Sequence, residues 1–226
     1  MKPHQQLAVT QTPGGASLTL HEHDGTFCIR QNGRELMHSA ATASELALGE
    51  VGTARLPRGK PARVLVGGLG LGCTLRRVLE QTGPRTAVHV VELLPAIVAW
   101  NRGLLRGLNG ALLDDPRVEL VVADVFAVLQ RAGAASYDAI LLDVDNGPVP
   151  MVQQGNARLY APAGLRLLAE ALVPGGRLVV WSAGPDRAFE QHLAQAGFQV
   201  ATVPVPAQHG ARQNACRHFV ADKPAA

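Results

Sequence analysis

The sequence predicts an α/β protein: a doubly wound, mostly parallel sheet preceded by a small antiparallel β meander. Three observations predict it. From Arg63 onward, short apolar runs alternate with amphipathic segments of helical length. Largely apolar strands separated by helices belong to a parallel sheet covered on both faces. The first of these runs opens into a glycine-rich turn, Gly67-Gly68-Leu69-Gly70-Leu71-Gly72. Before Arg63, three β-prone runs are separated by Asp24-Gly25 and Asn32-Gly33, pairs that suit tight hairpins because glycine readily takes positive φ.

Residues 1–16, polar and with a Pro-Gly-Gly step, read as a loose tail. Ser17–His23 alternates, with Leu18 and Leu20 on one face, and is the first expected strand. Phe27–Arg30 and Arg34–Ser39 complete the meander, which is too small to be stable alone. Thr42–Leu56 has helical character, and Pro57-Arg58-Gly59-Lys60-Pro61 breaks the chain. The expected division is therefore a unit at 17–60 and a cofactor-binding domain at 61–226. In that domain, strands are expected at Arg63–Val66, Ala87–Val91, Val118–Val122, Ala139–Leu142 and Arg177–Trp181. Helices are expected at Thr74–Gln81, Pro95–Leu105, Phe126–Arg131, Ala163–Leu172 and Arg187–Ala196, the fourth ended by Pro174-Gly175-Gly176. Gln199–Val203 and His218–Ala221 are expected to pair at the end of the chain.

The alternate glycines Gly68, Gly70 and Gly72 let the chain turn sharply from strand to helix and let backbone approach a ligand. A glycine turn alone is equally a plain βα connection. Here acids accompany it. Glu92 ends the second strand 20 positions after Gly72, where Rossmann-like sites put a carboxylate on ribose hydroxyls. Asp124 ends the third strand, where it can accept from an adenine amino group or cap the helix that follows, and Val125 adjoins it. Asp143 ends the fourth. All three acids fall at the carboxyl edge of the expected sheet, where open α/β sheets bind ligands. Cys73 stands where dinucleotide sites prefer a third glycine, so the pattern points to a class I S-adenosylmethionine (SAM) transferase type of nucleoside site.

Over nearly its whole length the chain resembles the spermidine synthase family of polyamine aminopropyltransferases. The resemblance rests on several stretches: the meander's position, Ser44-Glu45-Leu46-Ala47-Leu48-Gly49-Glu50, Val64-Leu65-Val66 with its glycines, and Asp115-Pro116-Arg117-Val118-Glu119-Leu120 with Asp124. Further on, Tyr137-Asp138-Ala139-Ile140-Leu141-Leu142-Asp143 leads into Asp145-Asn146-Gly147-Pro148, with Leu159-Tyr160 and Pro174-Gly175-Gly176 beyond. It implies that Glu92 holds ribose, Asp124 adenine and Asp143 the attacking amine. The departures lie in the reactive half. Leu71 replaces the family's glycine-loop Asp, Leu48-Gly49 its Tyr-His pair, and Pro204-Val205-Pro206 its Pro-Thr-Tyr-Pro stretch, while the Asp-rich loop is shortened.

An acid at the position of Leu71 would repel the carboxylate of intact SAM and attract the ammonium of decarboxylated SAM. At ~4 Å and an effective dielectric of roughly 20, one such charge pair is worth about 4 kcal/mol before desolvation. On that argument methyl transfer from SAM is slightly favoured, with aminopropyl transfer from decarboxylated SAM and a non-catalytic cofactor-binding domain as alternatives. In either transfer, an amine must be held unprotonated in line with the sulfonium carbon, which calls for a carboxylate. Asp143 is the first candidate, Asp145 the second, and Asn146 can orient the substrate. Glu45 and Tyr160 are candidate acceptor contacts, against a solvated helix face for Glu45 and a core position for Tyr160. Trp181 reads as packing.

Composition narrows the field. Aromatics make up 4% of the chain and the formal charge is +3, so neither a base-stacking platform nor a dense basic face is visible and no nucleic-acid partner is expected. Cys28, Cys73 and Cys216 are widely spaced and odd in number, which fits a reducing compartment. The first twenty residues have no apolar signal core and no run reaches the ~20 residues of a membrane span, so a cytoplasmic location is expected. His21 and His23 share a strand face, but no further ligands follow, and no metal is expected. The partner is a small amine, and the hairpins suggest a homodimer.

Overall fold

The computed structural model describes residues 4–57, 59–144, 154–206 and 216–225. Eleven strands fall in two sheets among these residues. The first sheet is an antiparallel meander of β1 (Gln5–Gln11), β2 (Ser17–His23), β3 (Thr26–Gln31) and β4 (Arg34–His38). It has four strands where three were expected. The stretch expected as a loose tail supplies β1, which pairs with β2 from Gln11 opposite Ser17 back to Gln5 opposite Glu22. As an edge strand it is held by a hydrogen-bond ladder more than by burial, since none of its residues is buried. Local polarity therefore gave no sign of it.

Helix α1 (Ala43–Thr53) follows, and then β5 (Ala62–Gly67), α2 (Cys73–Gln81), β6 (Thr86–Glu92), α3 (Pro95–Arg102) and α4 (Arg106–Asn109). The single helix expected to Leu105 stops at Arg102, where Gly103 leaves helical geometry. Next come β7 (Val118–Val122), α5 (Val125–Arg131), β8 (Tyr137–Leu142), α6 (Ala157–Tyr160), α7 (Pro162–Ala171) and β9 (Leu172–Ser182). Pro174-Gly175-Gly176 lies inside β9 rather than merely ending α7. A register shift against β8 accommodates it, and Gly175 N–H donates to the carbonyls of Lys223 and Pro224 at 3.1 and 3.2 Å. The chain finishes with α8 (Arg187–Gln195), β10 (Gln199–Val205) and β11 (Cys216–Asp222).

The large sheet has the order β10-β11-β9-β8-β5-β6-β7, parallel from β9 through β7, with β11 antiparallel between β9 and β10. This is the doubly wound, Rossmann-like arrangement. Its strands are apolar on both faces because both are covered. Val64, Val66, Val88, Val90, Leu141 and Val179 point to one layer, with Leu48 of α1, Leu75 and Val78 of α2 and Ile97 of α3. Leu65, Val91, Ile140, Leu142, Leu178 and Val180 point to the other, with Leu129 of α5, Leu165 and Leu168 of α7, and Phe189 of α8. The two-residue period of a pleated strand makes this division.

Two features position the site. Helix α1, placed with the meander by the sequence reading, lies against α2 and the middle of the large sheet. There, a Cβ on Gly52 would sit 2.6 Å from Leu141 Cγ, so the helix approaches as closely as it does because that residue is glycine. The meander's buried residues Leu18, Leu20 and Ile29 share a core layer with Leu69, Leu71, Leu94 and Ile97. The meander thus finds its second apolar surface over the carboxyl ends of β5 and β6.

Candidate active site

A cleft of about 1050 Å³, counted to its open mouth, lies between the meander and the carboxyl edge of the large sheet. The meander side contributes Leu18, Ile29, Leu36 and Met37, none of which the sequence marked as functional. The sheet side contributes Gly68, Gly70, Glu92, Asp124, Val125 and Asp143, and α1 contributes Glu45.

The glycine loop is built for close backbone approach. Gly68 has φ +91°, and a Cβ there would overlap the carbonyl oxygen of Asp143. Gly70 has φ +49°, and its Cβ would lie 2.5 Å from Met37 Sδ. Gly72 starts α2 in the left-handed region but does not line the cleft. The loop's carbonyls are held from behind. Asn101 Nδ2 donates to Gly70 O at 2.8 Å, and Asn109 Nδ2 donates to Leu71 O. These asparagines escaped the sequence reading, since their role depends on α3 and α4 folding back beneath the loop.

Leu71 itself has no exposed surface and lies in the core layer with Leu75 and Leu94, not on the cleft wall. The site role expected for it is corrected accordingly: an apolar side chain in this loop turns inward, where it removes area from water.

Glu92 is 7% exposed, and both its oxygens are engaged. Oε2 accepts from Leu69 N–H at 2.9 Å and Oε1 from Leu94 N–H at 2.8 Å. Burial raises its pKa, against the opposing pull of these backbone donors. Its carboxylate also lines the cleft. Asp124 caps α5, with Oδ1 accepting from Phe126 N–H at 2.8 Å and Ala127 N–H at 3.2 Å. Its Oδ2 meets Arg158 Nη2 at 2.7 Å, and that guanidinium lies 4.6 Å from the Phe126 ring centroid. Cap and cleft wall are thus the same residue, so the two roles weighed for Asp124 are compatible.

Glu45 and Asp143 line the same cleft. Glu45 is 6% exposed rather than on a solvated helix face, and accepts from Ser44 Oγ at 2.6 Å. Asp143 Oδ2 accepts from Thr74 Oγ1 at 3.3 Å. Neither carboxylate meets a cationic side chain among the described residues. Burial, and then the charge of Glu45, push Asp143 up to about 7, with the Thr74 hydroxyl opposing. Burial also raises Glu45. Two neighbouring carboxylates whose pKa values are raised form a site that gains from a cation.

Tyr160 is buried edge-on to Phe189, with ring centroids 5.5 Å apart, and is not among the residues of the cleft wall. The acceptor contact expected of it is corrected to a core position. Asp145 and Asn146, the other two catalytic candidates, lie outside the described residues. At Gly49, where the resembling family has His, a Cβ would come 2.8 Å from Arg77 Cβ, so the space belongs to α2.

A Rossmann-like sheet with its ligand cleft at the carboxyl edge defines the class, and comparison with known proteins defines the family. Residues 34–200 match the model of the spermine/spermidine synthase domain, and the chain belongs to that family. It is 38% identical over 124 residues to a polyamine aminopropyltransferase of Mycobacterium tuberculosis (strain CDC 1551 / Oshkosh), covering 54% of this chain and 23% of that protein. It is 28% identical over 190 residues to a polyamine aminopropyltransferase of Aeropyrum pernix, covering 83% of this chain and 55% of the relative. The chain thus spans only part of the length of these curated relatives. Among solved structures, spermidine synthase from Thermotoga maritima superposes with a TM-score of 0.78 at 17% identity, over 98% of this chain and 74% of that one. A spermidine synthase in complex with the transition state analogue AdoDATO gives 0.76 at 17% identity, over 98% and 74%. At these identities the structural likeness concerns the fold.

Proposed function

We propose that this protein transfers an aminopropyl group from decarboxylated SAM to a small amine. The observation that carries the reading is the pair of buried Glu45 and partly exposed Asp143, which lines the same cleft as Glu92 and Asp124 and has no internal counter-cation among the described residues. The pair also corrects the preference for methyl transfer. That preference assumed that discrimination against intact SAM resides in the glycine loop and is lost with Leu71. With Leu71 in the core, the charge facing the cleft comes from α1 and from the end of β8 instead. A SAM carboxylate near this pair would meet like charge, whereas an ammonium would meet opposite charge. The curated relatives are named as aminopropyltransferases, which supports the same reading.

The donor supplies a sulfonium-activated carbon. On this reading Glu92 accepts from ribose hydroxyls, and Asp124 from an adenine amino group. Asp143 orients the acceptor amine and takes the proton it loses as its lone pair forms the new C–N bond and the C–S electrons leave with sulfur. A carboxylate whose pKa stands near neutrality suits that exchange. Glu45 then holds the remaining positive charge. Calorimetric titration with decarboxylated SAM, SAM and methylthioadenosine, followed by product masses with small diamines, tests the proposal. Decarboxylated SAM should bind at least tenfold tighter than SAM and yield aminopropylated product. Methylated product, or equal affinity for the two donors, would overturn it.

A further inference from the structure

Asp143, Trp181 and His218 stand in one row across three neighbouring strands. Leu142 of β8 lies beside Val180 of β9, so the next residues, Asp143 and Trp181, are abreast, and Trp181 is paired with His218 of β11. Two residues from each, Leu141, Val179 and Val220 all face the layer that holds α1 and α2. The pleat therefore sends all three side chains toward that layer, where Glu45 lies. Trp181 lines the cleft and is the one aromatic side chain among the described lining residues. Beyond it, His218 has no exposed surface, and neither of its ring nitrogens has a hydrogen-bond partner among the described residues. Burial pushes its imidazole down to about 4, only partly offset by the nearby Ser44 backbone, so it stays neutral and gives the carboxylates no counter-charge. Among the described residues, this part of the cleft thus combines two carboxylates and an indole without a cation.

We propose that Trp181 is the specificity-determining residue for the acceptor: its indole closes the cleft beside Glu45 and Asp143 and sets the length of alkyl diamine that fits. An aromatic wall beside paired carboxylates suits an alkylammonium, whose methylenes pack on the ring and whose charge is attracted to its face. The ring also bounds the chain, so a diamine too long for the space must lose one of its two charged contacts. This inference rests on the reading of the cleft as an amine-alkylating site.

The chain has two tryptophans. Trp100 is 6% exposed in the core, so a ligand-dependent change in emission reports Trp181. With methylthioadenosine present, the protein is titrated with 1,3-diaminopropane, 1,4-diaminobutane, 1,5-diaminopentane and butane-1,4-diol, by emission and by calorimetry. A short diamine should bind and shift the emission, the diol should do neither, and Trp181→Phe should keep the order of affinities. Trp181→Ala should improve the longest diamine relative to the shortest by about tenfold, and Trp181→Leu provides the same comparison should the alanine variant not fold. Diamine binding with unmoved emission, or an unaltered length order in the truncated variants, overturns the role of Trp181 alone. Absence of any diamine binding to the unmodified protein overturns the amine-alkylating reading and this inference with it.

Discussion

Replacing Asp143 by Asn should stabilise the ligand-free protein while abolishing its turnover. Asp143 is partly exposed on the cleft wall beside Glu45, and burial together with that neighbouring charge pushes its pKa from the ordinary 3.8 up to about 7. The native state therefore holds the proton more tightly than the unfolded chain does. For such a group, stability is greatest below the unfolded value, falls as pH rises through the interval to the folded value, and is constant beyond it. The interval of about three pH units corresponds to on the order of 4 kcal/mol, an upper bound because Glu45 relaxes when its neighbour ionises. Asparagine keeps the shape and still accepts from the Thr74 hydroxyl, which now meets Oδ2 at 3.3 Å, but it never carries the charge. At roughly 2–4 °C per kcal/mol for a chain of this size, the variant should melt about 10 °C higher than the unmodified protein at pH 8. The gap should shrink to a few degrees at pH 5. Thermal unfolding of both proteins across this range reads the effect directly. A bound diamine should narrow the gap at pH 8 by stabilising only the unmodified protein. A gap independent of pH, or a less stable variant at pH 8, would refute the argument that an uncompensated charge resides at Asp143.

Three further outcomes follow from the cleft. Glu92→Gln replaces an acceptor that serves two backbone donors, at 2.9 and 2.8 Å, with a group whose NH2 must face one of them. It should cost about 1–3 kcal/mol of stability and weaken methylthioadenosine binding at least tenfold by calorimetry. Gly68→Ala places a Cβ onto the Asp143 carbonyl at φ +91° and should destabilise by more than about 2 kcal/mol in urea titration, with loss of nucleoside binding. Arg158→Ala removes a half-exposed partner of Asp124 at 2.7 Å and should change stability by under about 1 kcal/mol. Because Asp124 keeps its cap bonds but loses the group that fixes Oδ2, nucleoside affinity should fall severalfold, and a gain in affinity would contradict this.

Much of the architecture was legible because it is written in short-range patterns. Ser17–His23 and Val118–Val122 occupy the expected spans, and the other strands of the large sheet differ chiefly at their ends. β9 is the exception, extended back through Pro174-Gly175-Gly176. That tripeptide looks like a terminator locally, yet its backbone finds hydrogen-bond partners in Lys223 and Pro224 of the C-terminal segment, which no local window contains. β1 was missed for the same reason: an unburied edge strand exists because β2 offers it a ladder.

The sequence by itself determined the parallel sheet, its carboxyl edge, and the presence there of a glycine loop with Glu92, Asp124 and Asp143, because each depends on residue type at a fixed distance from an apolar run. Only the tertiary structure decided where the charge of the site resides. Leu71 is adjacent to Gly70 in sequence, yet its side chain enters the core. Glu45 precedes Asp143 by nearly a hundred residues and reads as a surface acid, yet the docking of α1 on the sheet buries Glu45 within reach of the charge of Asp143. Burial, charge coupling and the row from Asp143 through Trp181 to His218 are properties of space shared by distant segments. Physical chemistry assigns them through desolvation and packing, which local sequence patterns do not encode.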